Sequence, residues 1–187
     1  PWEQGGNWDD SGINGMWRWL NRVWNLVLEE PQAQAETEQA TLKELRHLTH
    51  KTIKKVTNDL EKFRFNTMLA ALMEFTNHLI KTKDKTAGST AWQEAIDALL
   101  LLLAPTAPHL AEELWALTGH PYSIHNQGFP TWDEGLAAEE EITLVIQVNG
   151  KVRHRVMVPA SITEAEAQQI ALSQERVKSY LKDRKVS

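Results

Sequence analysis

The sequence predicts an α-helical bundle followed by a small α+β module built on a β-hairpin. Three observations lead to that expectation. Apolar residues recur at helical spacing in successive stretches up to Leu117. Glycine and proline then break the pattern between Tyr122 and Ala138, at Gly128, Pro130 and Gly135. From Ile142 to Pro159 the apolar period changes to two, and the two alternating runs meet at Asn149-Gly150, the strongest short-range hairpin signal.

The first helix is expected from a cap at Asp10 or Ser11 to about Glu30. Met16, Trp19 or Leu20, Val23 and Leu26 or Val27 form its stripe, and Pro31 stops it. QAQAETEQ is polar and reads as a loop or frayed turn. From Leu42 to Leu60 the residues Leu42, Leu45, Leu48, Ile53, Val56 and Leu60 share one side of a second helix. Lys51, Lys54 and Lys55 lie mostly away from it. A third helix, capped by Asn66 or Thr67, presents a broad apolar face from Met68 to Ile80. A fourth, Thr90 to about Ala104, is almost wholly apolar in its second half and demands neighbours on several sides. Pro105 and Pro108 break the chain and open a fifth helix that ends at Gly119. Five antiparallel helices with short connections satisfy these patterns.

In the hairpin, a simple two-residue turn would place Ile146 opposite Arg153 and Leu144 opposite Arg155, mixing core and surface on one face. Pairing Val148 with Val152, Ile146 with His154, Leu144 with Val156 and Ile142 with Val158 gives a coherent apolar face. That register requires a three-residue loop, Asn149 to Lys151, or a bulge of similar effect. The opposite face then shows Gln147, Arg153 and Arg155, with Lys151 at the tip. Thr163 and Glu166 have the spacing of a capping box, with Ile162 a candidate staple; a helix follows, with Ile170 and Leu172 available for packing, and a last short helix or turn spans Glu175 to Leu181. Two strands alone are marginal.

Composition narrows the chemistry. The 187 residues are 42% hydrophobic and 24% charged, as in ordinary globular chains, with no apolar run long enough to span a membrane and no signal-peptide pattern. The absence of cysteine excludes disulfides and thiolate chemistry and suits a cytoplasmic protein. His47 with His50 and His109 with Glu113 have helical pair spacing, but neither pair has an evident third ligand, so no metal site is expected. Of the paired carboxylates, Glu112-Glu113 lies early in a helix, where acids suit the dipole; none of the pairs sits beside a nucleophile in a glycine-rich pocket. Of the eight tryptophans, Trp24, Trp92 and Trp115 are expected in the core, and Trp2, Trp8 and Trp132 at a seam between domains.

The basic residues carry the functional reading. The net charge of −5 gives no global attraction to nucleic acid, but basic residues concentrate between Lys43 and Arg64 and again from Lys151 to Lys185. Arg46, Lys54 and Lys55 suit phosphate contact on the second helix. Lys151, Arg153 and Arg155 alternate along the hairpin and line up on one face. Composition leaves RNA binding and a helical protein-interaction adaptor both open.

Longer stretches add a resemblance. GINGMWRWLNRVWNLV resembles the first helix after the catalytic core of class Ia aminoacyl-tRNA synthetases. HKTIKKVTNDLEKFRFNTMLAALMEFTN is similar to the central helix pair of their anticodon-binding bundle, and LLLLAPTAPHLAEELW to its last two helices. VIQVNGKVRHRVMVP resembles the small C-terminal module of the bacterial leucyl-tRNA synthetases. The resemblance implies a tail of the preceding catalytic region at 1–12, the bundle at 13–131, a linker at 132–140 and a truncated C-terminal module at 141–187, one strand short. It implies a non-catalytic, monomeric, cytoplasmic region that binds and positions tRNA(Leu), with catalytic and editing domains elsewhere in a full-length ATP-dependent ligase. ATP and Mg are implied for that full-length enzyme and no cofactor for this region. The equivalent region of another class Ia synthetase is the alternative.

Overall fold

The computed structural model describes residues 12–31, 38–138 and 141–181. The chain divides into two compact units, 1–138 and 139–187. The proposed caps Asp10 and Ser11, the tryptophans at 2 and 8, and the basic residues after Leu181 lie outside the described residues.

The first unit is a helical bundle of α1 (Ile13–Leu28), α2 (Gln39–Glu61), α3 (Phe65–Thr86), α4 (Thr90–Leu103) and α5 (Pro108–Leu117), followed by a 3₁₀ turn, Ile124–Asn126, and the one-turn α6 (Glu134–Ala137). Each helix starts and stops for a local reason. The Ser89 hydroxyl caps α4 by accepting from the Trp92 N–H, and Pro108 occupies the first turn of α5. Gly119 turns the chain away from α5 at φ +83°, a left-handed conformation that glycine adopts without penalty. Helix α1 lacks a side-chain cap, with Gly12 in the N-cap position.

Cross-helix contacts fix the directions. The indole of Trp19 donates to the Thr76 hydroxyl at 3.1 Å and Lys83 reaches the Leu26 carbonyl at 2.9 Å, so α1 and α3 run the same way. Arg46 donates to Thr90 and His50 bonds Glu94, so α2 and α4 run together in the opposite sense. One end of the bundle therefore gathers the start of α1, the α2–α3 turn and the α4–α5 turn. The centre is α4, where Ala91, Ala95, Ile96, Ala98, Leu99, Leu100, Leu102 and Leu103 are buried, meeting Leu72, Phe75 and Leu79 of α3 and Leu45, Ile53 and Val56 of α2 in one core. Burying a leucine side chain contributes about 1.5–3 kcal/mol, which is why a run as apolar as α4 takes the innermost position. Among the described residues no helix is long and apolar enough to cross a membrane.

Tryptophan placement partly follows the sequence expectation. Trp115 is buried, and Trp24 and Trp92 pack partly buried on the core. Trp132 also packs against the bundle core, and its indole donates to Glu134 at 2.9 Å. Residues 132–138 contain α6, which packs on α2.

In the second unit, β1 (Glu141–Val148) and β2 (Lys151–Pro159) form an antiparallel hairpin, followed by α7 (Glu164–Ser173) and α8 (Glu175–Leu181). Ile142 faces Val158, Leu144 faces Val156 and Ile146 faces His154, as the apolar alternation requires. Of the two alternatives for the tip, a three-residue loop or a bulge, the structure takes the bulge. Val148 pairs with Lys151 across a two-residue turn whose Asn149 and Gly150 both have positive φ, and Gln147 pairs with Val152. Arg153 is left as the extra residue of a β-bulge, which restores the apolar register. Thr163 and Glu166 close a full capping box on α7. Among the described residues of this unit, Ile146, Val158 and Val177 of α8 are the buried apolar ones.

Candidate nucleic-acid interface

Arg46, His50 and Lys54 recur every four residues and so share one flank of α2. All three are engaged within the bundle. Arg46 Nε lies 3.5 Å from Glu94, and Lys54 pairs with Glu134 at 2.6 Å. His50 is buried between two elements. Its Nδ1 accepts the Asp133 N–H at 3.0 Å, which leaves the ring proton on Nε2 to donate to Glu94, also at 3.0 Å. One turn away, His47 Nδ1 donates to the Leu136 carbonyl at 2.8 Å. Together these bonds seat residues 133–136 against α2.

Lys55 bonds Asp59, four residues on in the same helix. Burial of Asp59 acts to raise its carboxyl, but the bonds from Lys55 and Thr67 and the charges of Lys55 and Arg64 outweigh it and hold the group below the ordinary 3.8. The exposed carboxyl of Glu134 is likewise lowered, chiefly by the hydrogen bond from Lys54 and then by that from Trp132. Arg46, Lys54 and Lys55 thus remain partly open to solvent, while each already faces a carboxylate. Such surface pairs are worth about 0–1 kcal/mol. A phosphate can compete for these cations, but it meets less positive potential than the sequence suggested. The adjoining groove, about 490 Å³, is lined by Glu94 and Asp97 and is ill suited to an anion.

On the hairpin the three expected cations separate. Lys151 and Arg155 are exposed. Arg153, at the bulge, is half-buried. Its guanidinium lies 4.2 Å from the centroid of Tyr180 on α8, and Nη1 donates to the Tyr180 hydroxyl at 3.4 Å. The bulge breaks the alternation that would have placed Arg153 in line with Arg155. Lys151 and Arg155 are therefore the two of the three that stand exposed to solvent. Sequence reasoning missed Tyr180, and also Glu94 and Glu134, which lie 48 and 80 residues from the cations they engage, Arg46 and Lys54.

A family model described as the anticodon-binding domain of tRNA ligase matches residues 43–169. The chain belongs to that family. It is 57% identical over 97% of its length to a leucine–tRNA ligase of Dehalococcoides mccartyi and 49% identical over 100% to one of Rubrobacter xylanophilus, covering 22% of each. Among solved structures, it is similar to the LeuRS of Agrobacterium radiobacter K84, crystallised in ternary complex with tRNA and LeuAMS. The TM-score is 0.77 at 34% identity, over 97% of this chain and 24% of that one. The chain thus spans about a quarter or less of the length of these relatives.

The family match extends beyond the bundle through the hairpin and into α7, so it takes in Arg46, Lys54 and Lys55 as well as Lys151, Arg153 and Arg155. Phe63, in the α2–α3 turn, is a further position the sequence reading passed over. It is 62% exposed and sits at φ +52°, an uncommon conformation for a bulky residue, between Lys62 and Arg64. An aromatic residue between two cations was a usable signal in the sequence.

Proposed function

We propose that this chain is a tRNA-binding and tRNA-positioning region of a leucine–tRNA ligase and performs none of the bond-making itself. The observation that carries the proposal is the alignment of nearly the whole chain with leucine–tRNA ligases, of which it covers 22%. In this reading Lys151 and Arg155 hold tRNA phosphates, and Arg46, Lys54 and Lys55 exchange their carboxylate partners for phosphate where the bundle meets the tRNA body. The region contributes binding energy and orientation, helping to bring the 3′ end to a reaction performed by the catalytic domain of the full-length protein. An editing domain elsewhere in that protein, a monomeric state and a cytoplasmic location belong to the same proposal.

ATP and Mg are assigned to the full-length enzyme. The described residues bring together no group of three or more His, Asp or Glu side chains suited to a metal. The test is a pair of measurements. Residues 1–187 alone are expected to give no leucine-dependent ATP–pyrophosphate exchange. Titration with tRNA(Leu) is expected to give weak binding that falls steeply with salt. Exchange activity would overturn the non-catalytic assignment, and absence of binding at low salt would remove the tRNA surface.

A further inference from the structure

We infer that the α2–α3 turn is a stacking surface for RNA, with Phe63 as its aromatic platform. This rests on the tRNA-binding reading and adds a contact that neither the α2 flank nor the hairpin provides. One aromatic side chain stands in water at this turn, Phe63 at 62% exposure. Phe65 meets Phe63 edge-on, with centroids 6.0 Å apart, and supports the ring from within the fold. Within residues 60–68 the exposed charges are Lys62 and Arg64 against Glu61. Asp59 is buried and bonded by Lys55. The local excess is positive in a chain of net charge −5.

The chemistry of this turn selects among occupants. A purely apolar partner would leave Lys62 and Arg64 beside its own surface with no counter-charge. A nucleic acid answers both features, because each nucleotide offers a π-face to the ring and a phosphate to the flanking cations. Stacking needs no particular base, so the surface contributes affinity and orientation without sequence selection. On α2, Arg46, Lys54 and Lys55 are each paired directly with a carboxylate, whereas Arg64 acts on the buried Asp59 only through its charge.

The experiment uses the full-length protein and a tRNA(Leu) transcript. Hydroxyl-radical footprinting is expected to show Phe63 reactive in the free protein, as the 88%-exposed Tyr122 should be, and protected when tRNA is added. Phe63→Asn removes the ring while placing a residue that accepts the left-handed backbone. It should weaken binding about tenfold without lowering the thermal transition, and Phe63→Tyr should restore it. Replacing Lys62 and Arg64 together by Gln should reduce the salt slope of binding by about two. Protection of Phe63 before tRNA is added would overturn the inference by showing another part of the protein seated there. So would Phe63→Asn binding like wild type, which leaves the tRNA reading intact. If the wild-type protein itself fails to bind the transcript, the tRNA reading and this inference fall together.

Discussion

Arg153 sets its guanidinium over the ring of Tyr180, 4.2 Å from the centroid, and so ties the last described helix to the second strand of the hairpin. The bulge makes the contact possible, because Arg153 is the residue without a cross-strand partner. Its Nε is buried with no hydrogen-bond partner, so cation–π attraction and the 3.4 Å bond to the Tyr180 hydroxyl hold it. Tyr180→Leu should therefore loosen α8 from β2 at a cost of about 1 kcal/mol. Hydrogen exchange would report this as faster exchange in residues 176–180 with the hairpin amides unchanged. Identical exchange in both proteins would mean that the contact holds nothing.

The same geometry ranks the hairpin cations. Lys151 and Arg155 are exposed, whereas Arg153 is engaged by Tyr180. Lys151→Gln and Arg155→Gln should each lower the salt slope of tRNA binding by about one. Arg153→Gln should change the slope less and the stability of the second unit more. Equal slope losses at Arg153 and Arg155 would return Arg153 to phosphate contact.

Asp59 gives the bundle a dependence on acid. Its carboxyl is held below the ordinary 3.8 despite burial, because Lys55 and Thr67 bond the charged form. A carboxyl with a depressed folded pKa contributes stability that is fully present above its unfolded value and is lost as pH falls through the folded one. Asp59→Asn should cost about 1–2 kcal/mol at neutral pH, a figure reduced because Lys55 is half exposed. The difference between wild type and variant in denaturant melts should shrink below pH 3.8. A difference that stays constant through that range would show that charge plays no part.

Helix positions were legible because burial on one face imposes a period. Leu45, Ile53 and Val56 on α2, and the run from Ala98 to Leu103, occupy the core the spacing assigned to them. What the sequence left open was set by contacts between distant residues. The carboxylates opposite Arg46 and Lys54 come from Glu94 and Glu134, which no local pattern links to α2. Alternation along the hairpin required one extra residue but could not say whether the loop or the strand would absorb it. The structure puts that residue at Arg153, and with it one candidate phosphate contact turns inward. Trp17 falls outside the apolar stripe that the spacing assigned to α1, and it stands in solvent.

Lys83 closes the C-terminal end of α1 from across the bundle. Its ammonium donates to the carbonyl of Leu26 at 2.9 Å and to that of Glu29, oxygens that the end of a helix otherwise leaves without an intrahelical donor. Burial lowers its pKa below the ordinary 10.5, with Glu29, Glu30 and Asp84 opposing that shift. Lys83→Met keeps the aliphatic length and removes the donor, so the last turn of α1 should fray at a net cost of about 1 kcal/mol, two bonds being lost while a desolvated charge is also removed. The pH dependence has a definite sign. Between the folded value and 10.5 the unfolded chain binds more proton than the folded one, so wild type should gain stability relative to Lys83→Met as pH rises through that window. Paired denaturation curves across the alkaline range would measure it. A wild-type advantage that instead declines over the same interval would mean that the charged bonds to Leu26 and Glu29 outweigh burial.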